Sequence, residues 1–381
     1  MIGRNFAANI KPLSAFRYFL NNKKRAFSMA LAVAVSILLL MVFQMIFYSV
    51  TESARLAISG RLDQMTVVYP GDKGVVGESV LKKIKECQNT EKIVPMLVSN
   101  TDYYHAFGNL NIPIYFISNK NLNFVIDRLG LELAEGRLPE LGKKEVLLDE
   151  RTLKNKGKQL GDYIGREVDT NEGLPGKYEI VGVLKGECLV GVGVIDDGTL
   201  LEKNGFLLFP KVGRLEVLNT AISGINIDDA DIITKEYGQS SFKEDQELMD
   251  QVTTIIVAVV IFIMSFAAAN SSYAQYFSRR YEFGTLLSIG YSRVKILLRA
   301  AWEILHTNIV GLLLGIILVF LAKLGVKVLI FDPKGYPFLL FQLEGLWQAF
   351  IIPLCTVVAS LIPAWWTLSR VDQVEIIEKF E

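Results

Sequence analysis

The sequence predicts an integral membrane protein: four transmembrane α-helices, with a large mixed α/β extracytoplasmic domain inserted between helices 1 and 2. Three observations predict this fold class. Of the 381 residues, 51% are hydrophobic. The apolar residues concentrate in four runs, each near the ~20 residues that a helix needs to cross a hydrocarbon core about 30 Å thick. A more polar segment of about 200 residues, the size of an ordinary domain, separates the first two runs.

The first apolar run, residues 26–50, contains no charged side chain. A cleaved leader would have a shorter apolar region of about 7 to 15 residues, followed by a small-residue cleavage site. The sequence that ends the run and follows it, "QMIFYSVTESARL", offers no such site. We therefore expect this run to remain in the protein as its first transmembrane helix.

The distribution of basic residues predicts the orientation in the membrane. Lys23–Arg25 precede the first helix, and arginines and lysines are clustered within residues 279–299. Such clusters stay on the cytoplasmic side, so both termini are expected in the cytoplasm. The predicted segments are an amphipathic N-terminal segment (1–25), helix 1 (26–50), the extracytoplasmic domain with helical stalks (51–250), helix 2 (251–273), a cytoplasmic loop (274–300), helix 3 (301–324), a short external loop (325–345), helix 4 (346–366) and a cytoplasmic tail (367–381).

The external segment alternates short strand patterns with short helical patterns. Strands are predicted by "MTVVY", "KIVPML", "IPIYFI", "EVLL", "YEIVGVL", "FLLF" and "ISGINI", and helices by "ESVLKKIKECQ" and "LDERTLKNKG". This order favours a mixed α/β or α+β domain, with room for two lobes. At its two ends, "TESARLAISGRLDQ" and "FKEDQELMDQ" look helical and continuous with helices 1 and 2, which predicts two stalks.

Little in the sequence indicates catalysis. The 40 basic and 40 acidic side chains balance, so no net field favours nucleic acid, and the two histidines are too few for a multi-histidine metal site. "GRLPELGKKE" departs from a phosphate-binding loop in spacing and lacks the final hydroxyl residue, so we interpret it as a turn. "GVGVIDDG" is interpreted as a hairpin. We therefore expect no catalytic residue, no metal site and no nucleotide-binding motif in this chain.

The three cysteines give a weak signal. Cys87 and Cys188 both fall in the external segment, where one disulfide between them is open, but their spacing does not demand it. Free cysteine is commonly buried, so we favour buried free thiols.

The four predicted spans carry no charge near the middle of the membrane. Ion-coupled transporters place ionisable side chains there, so ion-coupled transport is disfavoured. Glu303 and His306, three residues apart at the cytoplasmic mouth of helix 3, form a candidate membrane-edge pair. Interfacial anchoring is favoured over a functional role for this pair, because edge charges reach the interface at low cost.

Helix 3 also contains a G-x-x-x-G pattern, Gly311 and Gly315. Two small residues at this spacing permit close helix packing, although glycine is common in membrane helices in any case. The pattern is therefore a candidate packing surface.

The loop between helices 2 and 3, "SRRYEFGTLLSIGYSRVKILLRA", is long, basic and interrupted by two glycines. Residues 279–289 predict a short helix, Gly290 predicts its end, and Ser292 can cap the helix that follows. A connection between neighbouring spans needs only a few residues. A helix, a bend and a second helix therefore favour a compact projection that docks into a partner, with a solvated loop as the alternative.

This loop resembles the corresponding loop of FtsX-like, MacB-type permeases, the four-span, type VII-like subunits of ABC transporters. The residues that match the family pattern are Arg280, Glu282, Gly284, Leu287, Gly290 and Ser292, with Glu303 at the start of helix 3. The ending "PAWWTLSRVDQVEIIEKF" and the external "LELAEGRLPE" and "KKEVLLDERTLKNKGKQLGDYIG" also resemble the family. The resemblance implies that the six loop residues couple the chain to an ATPase.

The resemblance further implies a bacterial inner-membrane protein that works with a cytoplasmic ABC ATPase dimer, a second permease (identical or paralogous) and membrane lipids. An extracytoplasmic adaptor or enzyme would be a further partner, and ATP and Mg would bind to the ATPase. Two function classes stay open. One is export or extraction of a hydrophobic or amphipathic substrate, of the antimicrobial peptide, macrolide, lipid or haem class; the other is mechanical regulation of an extracellular enzyme such as a cell-wall hydrolase.

Overall fold

The computed structural model describes residues 23–71, 76–200, 205–222, 230–340 and 343–370. The helices are α1 (Lys23–Ala57), α2 (Ser59–Leu62), α3 (Glu78–Glu86), α4 (Leu122–Arg128), α5 (Glu150–Asn155), α6 (Asp197–Leu200), α7 (Leu215–Ile222), α8 (Lys235–Ser278), α9 (Arg280–Ser288), α10 (Arg293–Val326), α11 (Asp332–Lys334) and α12 (Leu343–Ser369). A short 3₁₀ turn covers Asn119–Asn121, and a π-helical turn covers Lys327–Phe331.

The strands are β1 (Thr66–Pro70), β2 (Thr90–His105), β3 (Gly108–Ile117), β4 (Glu132–Gly136), β5 (Glu145–Asp149), β6 (Tyr163–Ile164), β7 (Tyr178–Lys185), β8 (Gly191–Val194), β9 (Gly205–Pro210) and β10 (Ala230–Ile233). The predicted strand "ISGINI" lies outside the described residues, apart from its first position at the end of α7. The N-terminal segment up to residue 22 and the tail beyond residue 370 also lie outside them.

Four helical segments are long and apolar enough to cross a membrane: Ala26–Leu62, Lys235–Ser278, Arg293–Lys334 and Phe350–Ser369. By its contacts the chain divides into two units. Among the described residues, the span unit contains those up to Met45, Asp250–Gly325 and those from Leu339 to residue 370. The sheet domain contains Ile46–Met249 together with Val326–Phe338. The fold is therefore a set of four membrane helices with a large mixed α/β domain between the first and the second.

The sheet domain is built on one ten-stranded sheet, in the order β10-β1-β9-β2-β3-β8-β5-β7-β4, with β6 paired to β7. Most neighbouring strands are antiparallel, while β3 with β8 and β5 with β7 are parallel. The sheet runs continuously through the domain, and separate apolar clusters pack along it. The central strands bury both faces, as β5 and β8 do along their whole length.

Strand β8 corrects the interpretation of "GVGVIDDG" as a hairpin. Its four residues lie between β3 and β5, and the next residues lead into α6. A Cβ on Gly191 would lie 2.9 Å from the Ile114 side chain, and a Cβ on Gly193 would lie 2.5 Å from the ring of Phe116. Glycine at these two positions leaves space for the large side chains of the neighbouring strand β3. The local sequence does not show this reason, because it depends on which strand lies beside β8.

The two ends of the sheet domain lie side by side. At the end of α1 and in α2, Leu56 and Leu62 are fully buried. The first turn of α8 approaches the same place: Lys235 Nζ lies 3.1 Å from Asp63 Oδ1, and the backbone of Gly238 packs on Leu62. Helices α1 and α8 each run without a break from the span unit into the sheet domain.

The cysteines are free thiols in different places. Cys188 is buried in the main core of the sheet domain, and Cys87 borders a separate cluster around α3. Burial raises the pKa of the Cys188 thiol to about 12, so this sulfur is an unreactive core group.

Two carboxylates of the sheet domain respond to pH in opposite directions. Asp149 is only 1% exposed and accepts hydrogen bonds from the amides of Arg151 and Thr152 at the start of α5. Burial raises the pKa of Asp149 to about 7. Glu145 closes the "GRLPELGKKE" turn through two bonds from Arg137, of 2.8 and 2.6 Å. The hydrogen bonds from Arg137 hold the pKa of Glu145 at about 2.

We predict that Asp149→Asn changes how stability depends on pH. In the wild type, the raised pKa of Asp149 makes folding more favourable as pH falls from about 7 to about 4, because the folded state binds the proton more tightly. The asparagine variant should lose this gain. Thermal unfolding of the full chain in detergent, measured across this range, checks the prediction.

The matched control is Glu145→Gln, because the depressed pKa of Glu145 has the opposite sign. Its stabilising contribution is present above its unfolded pKa and is lost as pH falls toward about 2, so Glu145→Gln should lower stability near neutral pH. A wild-type stability that is flat between about pH 4 and pH 7, and identical in Asp149→Asn, would contradict the prediction.

Candidate functional site

Helix α9 is a short helix between the long helices α8 and α10. Together with the turn after it and the start of α10 it forms a helical hairpin, and Gly290 ends α9. This residue has φ +98°, a left-handed conformation that favours glycine. The amide of Gly290 donates to Leu287 O at 3.0 Å, and that of Tyr291 donates to Leu286 O at 3.1 Å. These two bonds form a Schellman C-cap, which satisfies the last carbonyls of α9.

The chain then turns directly into α10. The amide of Ile296 donates to the carbonyl of Ser292 at 3.2 Å, and the amide of Lys295 lies 3.4 Å from the Ser292 hydroxyl. Ser292 therefore lies at the N-cap of α10, in the position that its sequence predicts.

The inner face of α9 packs on three of the long helices. Phe283, Gly284 and Leu287 are buried. Phe283 and Leu287 belong to one apolar cluster with side chains from α8, α10 and α12: Tyr276, Ile296, Ala300, Ile304, Ala364 and Leu368. Two of the residues assigned to ATPase contact, Gly284 and Leu287, therefore face the spans and fix α9 to them.

The outer face and tip of α9 are exposed. Ile289, which follows the last turn, is 70% exposed, and Val294 at the start of α10 is 60% exposed. Arg280 is half-buried, and its guanidinium stacks on the rings of Phe277 and Tyr281 at 4.7 and 5.0 Å. Helix α9 thus begins with a cation that stacks on two aromatic rings and ends in an exposed apolar side chain.

Four charged side chains fasten α9 to α10. Arg279 bonds Glu303 at 2.8 Å and Glu282 at 2.7 Å. Arg299 bonds the same two carboxylates, Glu303 at 3.0 Å and Glu282 at 3.2 Å. We call these residues the ion cluster. Each arginine bridges both carboxylates, so the cluster is closed and its formal charge is zero.

Burial makes the ion cluster sensitive to the loss of any member. The side chains of Arg279, Arg299 and Glu303 are at most 10% exposed, whereas Glu282 is 41% exposed. Although burial alone raises the pKa of Glu282, the hydrogen bonds and charges of Arg279 and Arg299 together hold it below its usual value. Glu282 therefore has two arginine partners within the chain, while part of its carboxylate side chain stays exposed.

The sequence suggested that Glu303 and His306 form a pair at the membrane edge. In the structure the two side chains bond to different groups. Glu303 is bonded to the two arginines of the ion cluster. His306 Nδ1 instead lies 2.6 Å from Trp302 O, one turn back on the same helix. The two side chains lie on the same helix, α10, and have different partners.

Gly311 and Gly315 pack α10 against α1 within the same chain. A Cβ on Gly311 would lie 2.8 Å from the carbonyl oxygen of Ala30, and a Cβ on Gly315 would lie 3.2 Å from Ala34 Cα. One turn away, the Thr356 hydroxyl donates to Asn308 Oδ1 at 2.7 Å and joins α12 to α10. Sequence reasoning missed this buried bond, since neither residue is charged.

The chain offers no grouping for metal chemistry in the part that the structure describes: no cluster of three or more His, Cys, Asp or Glu side chains could hold an ion there. What the arrangement does contain is a short helix, α9, joined to α8, α10 and α12 by the apolar cluster and the ion cluster.

Two family models match the sequence. The FtsX-like permease C-terminal model matches residues 254–372, and the MacB-like periplasmic core domain model matches residues 26–228. No curated protein matches the sequence.

Three solved structures give weak similarities to part of this chain. The periplasmic region of MacB from Actinobacillus actinomycetemcomitans is 15% identical over 48% of this chain and 94% of that chain, with a TM-score of 0.27. The extracellular domain of the noncanonic ABC-type transporter YknZ from Gram-positive bacteria is 15% identical over 45% of this chain and 99% of that chain, with a TM-score of 0.26. A domain of a permease protein from Porphyromonas gingivalis is 10% identical over 46% and 89%, with a TM-score of 0.24.

The assignment rests on the family models. The core-domain model alone covers more than half of the 381 residues, and the permease model covers α9 and the long helices on both sides of it. The chain therefore belongs to the FtsX-like, MacB-type permease family of ABC transporters.

Proposed function

We propose that this chain is the permease subunit of an ATP-driven transporter, and that α9 receives motion from a cytoplasmic ABC ATPase and passes it to the membrane helices and the sheet domain. One observation carries the proposal. The tip of α9 is exposed at Ile289, while its inner face is joined to α8, α10 and α12 by the apolar cluster and the ion cluster. A partner that displaces the tip must therefore displace these helices.

Family membership supports an ABC ATPase as the partner in general. In the proposed assembly, two ATPases carry ATP and Mg, and two permeases, identical or paralogous, present one α9 each. In the proposed orientation this end of the helices lies in the cytoplasm and the sheet domain lies outside, which the basic residues around α9 support. To switch such an assembly from 1:99 to 99:1 between two states, nucleotide must favour one state by about 5.5 kcal/mol.

The proposed cargo is hydrophobic or amphipathic, of the antimicrobial peptide, macrolide, lipid or haem class, and is exported or extracted from the membrane. The support is the outward surface of α8, where Phe262, Ile263 and Phe266 are all exposed in the chain. Such a surface suits contact with lipid-like molecules or a second permease and offers nothing to a strongly polar cargo.

We predict that Ile289→Asp uncouples the permease from its ATPase. An apolar tip that enters a partner groove is desolvated there, and burying an unpaired polar group costs about 1–3 kcal/mol, or more for a charge. ATPase binding should weaken by about tenfold or more. The measurement is co-purification and stimulation of ATP hydrolysis, with the cognate ATPase and the full-length permease reconstituted in nanodiscs.

The matched control is Val212→Asp. Val212 is 86% exposed but lies on the sheet domain, between β9 and α7, so it offers the same chemical change far along the chain from α9. Val212→Asp should leave ATPase binding and stimulation at the wild-type level. Wild-type ATPase binding and stimulation in Ile289→Asp would contradict the proposal that α9 receives the motion of the ATPase.

The same reconstituted complex separates the two classes of output. Adding a cationic antimicrobial peptide, a macrolide, a lipopeptide or haem should stimulate ATP hydrolysis if one of these classes is the cargo. A complex that is coupled through α9 but unaffected by all four classes would instead favour regulation of an extracellular enzyme.

A further inference from the structure

The segment Val326–Phe338, which we call the clasp, lies between α10 and α12 in the chain but belongs to the sheet domain by its contacts. Its neighbours in sequence on both sides, through Gly325 and from Leu339, belong to the span unit. The clasp comprises the π-helical turn, the short helix α11 and an irregular stretch after Gly335. The sequence predicted a short external loop here, without any role.

Two buried donors of the sheet domain hold the backbone of the clasp. The hydroxyl of Tyr103 donates to Gly335 O at 2.9 Å, and the Asn155 amide donates to Lys334 O at 3.1 Å. Asn155 is fixed in turn by Tyr104, accepting from its amide at 2.7 Å and donating to its carbonyl at 2.8 Å. The last carbonyls of α11 therefore have partners that come from β2 and α5.

Gly335 allows the clasp to pack closely against the backbone of α5. Its φ of +63° lies in the left-handed region, which favours glycine. A Cβ at this position would also lie 2.4 Å from the carbonyl oxygen of Arg151 and 2.9 Å from its Cα. A side chain of any size would thus push the clasp away from the backbone of α5.

Aromatic rings complete the attachment. Phe331 is buried and meets Tyr336 and Phe338 edge-to-face, with ring centroids 5.7 and 5.6 Å apart. Tyr336 packs on the cluster that contains Tyr103 and Leu56, near the end of α1. The clasp and the first stalk therefore share one piece of the sheet-domain core.

Continuity along α10 gives this attachment its consequence. Helix α10 is a single helix of 34 residues that begins at the α9 turn and carries Arg299 and Glu303 of the ion cluster. At 1.5 Å per residue it is about 50 Å long. At its other end the chain passes directly into the clasp, so the helix that is bonded to α9 is also tied to the sheet domain.

We propose that the clasp is a third transmission element, which passes displacement of α10 to the sheet domain in addition to the two stalks formed by α1 and α8. This inference rests on the proposed function, because it requires that motion arrive through α9. It goes beyond the proposed function because it assigns a third route. The two stalks alone do not move the sheet domain fully, and the end of α10 at the clasp moves it as well, through the bonds of Tyr103, Asn155 and Gly335.

The test compares two clasp variants in the reconstituted permease–ATPase complex. Tyr103→Phe removes the hydroxyl that donates to Gly335 O and that also bonds with Ser53 on α1. Gly335→Ala leaves that hydroxyl in place and adds the Cβ that meets Arg151, so it perturbs the clasp separately from the first stalk. Hydrogen exchange of the amides of Gly335 and Tyr336 should accelerate by roughly fivefold in Tyr103→Phe, as expected for one lost net hydrogen bond. Gly335→Ala should show a larger increase.

The decisive readout is the change in hydrogen exchange across the sheet domain when ATP and vanadate are added. We expect both variants to retain stimulation of ATP hydrolysis, since neither residue lies near α9 in sequence or in contacts, and to lose most of the nucleotide-driven change in the sheet domain. The control is Gly213→Ala: Gly213 has a similar φ of +70°, but a Cβ there meets nothing within 4 Å. Gly213→Ala should keep the full change.

The outcomes separate the two levels of inference. A nucleotide-driven change that persists undiminished in both clasp variants, with their Gly335 and Tyr336 amides exchanging faster, overturns the role of the clasp and leaves the proposed function intact. A wild-type complex in which ATPase stimulation and the nucleotide-driven change are both missing overturns the proposed function, and the clasp inference with it.

Discussion

Glutamine in place of Glu303 is expected to destabilise the membrane helices and to release α9. Glu303 accepts bonds from Arg279 and Arg299, and all three side chains are at most 10% exposed. Removing one partner from a buried ion pair costs about 3–5 kcal/mol, because the remaining charge loses its compensation inside the protein. This loss of stability is similar in size to the free-energy difference of roughly 5.5 kcal/mol by which nucleotide must favour one state of the assembly over the other. Coupling to the ATPase should therefore fall together with stability.

Thermal unfolding of the full chain in detergent and stimulation of ATP hydrolysis measure the two effects of Glu303→Gln. Glu282→Gln is the matched control, since Glu282 binds the same arginines but is 41% exposed and water can replace part of its role. We expect a clearly smaller loss in Glu282→Gln. Equal losses in the two variants would show that burial does not decide the energy of the cluster.

A charge-balanced double variant sharpens the test. Arg299→Gln in the background of Glu303→Gln leaves Arg279 with Glu282 and restores neutrality, so it should recover part of the stability lost in the single variant. A double variant that is as unstable as the sum of the two single variants would mean that Arg299 and Glu303 do not act as a pair.

The sequence predicts the local parts of this site well. Gly290 and Ser292 are recognisable end and start signals, and they lie at the end of α9 and the start of α10. Arg279 with Glu282 and Arg299 with Glu303 are spaced three and four apart, as bonded pairs on one helix are. What the sequence could not supply is the bond between Arg279 and Glu303, since residues 24 positions apart meet only when α8, α9 and α10 have packed.

Tertiary context also explains the rest of what was missed. The four residues of β8 are two glycines and two valines, a pattern that fits a turn until β3 and β5 are placed on either side. The clasp looks like an ordinary charged loop, with Lys327, Asp332 and Lys334. Its attachment depends on Tyr103 and Asn155, more than 150 positions away in the chain, and no local pattern links them to it.

Leucine in place of Gly311 is expected to separate α10 from α1. The Cβ alone would lie 2.8 Å from the carbonyl oxygen of Ala30 and 2.9 Å from Val33 Cβ, and a backbone oxygen cannot rotate away as a side chain can. Overpacking of a tight contact costs about 1–3 kcal/mol and more where the backbone must shift. The variant should therefore unfold at lower temperature in detergent and should lose the contact between these two helices.

Gly325→Leu provides the control for Gly311→Leu, because Gly325 lies on the same helix and a Cβ there meets nothing within 4 Å. Its stability should equal or exceed that of the wild type, since leucine favours the helix over glycine by several tenths of a kcal/mol.

The helix pair itself is checked with cysteines at Ala34 and Gly315, in a chain without its three native cysteines. Oxidation should yield a cross-link within one chain, because the backbone of Ala34 lies 3.2 Å from the Cβ position of Gly315. A cross-linked dimer as the main product, with Gly311→Leu as stable as Gly325→Leu, would instead place the glycines between two permeases.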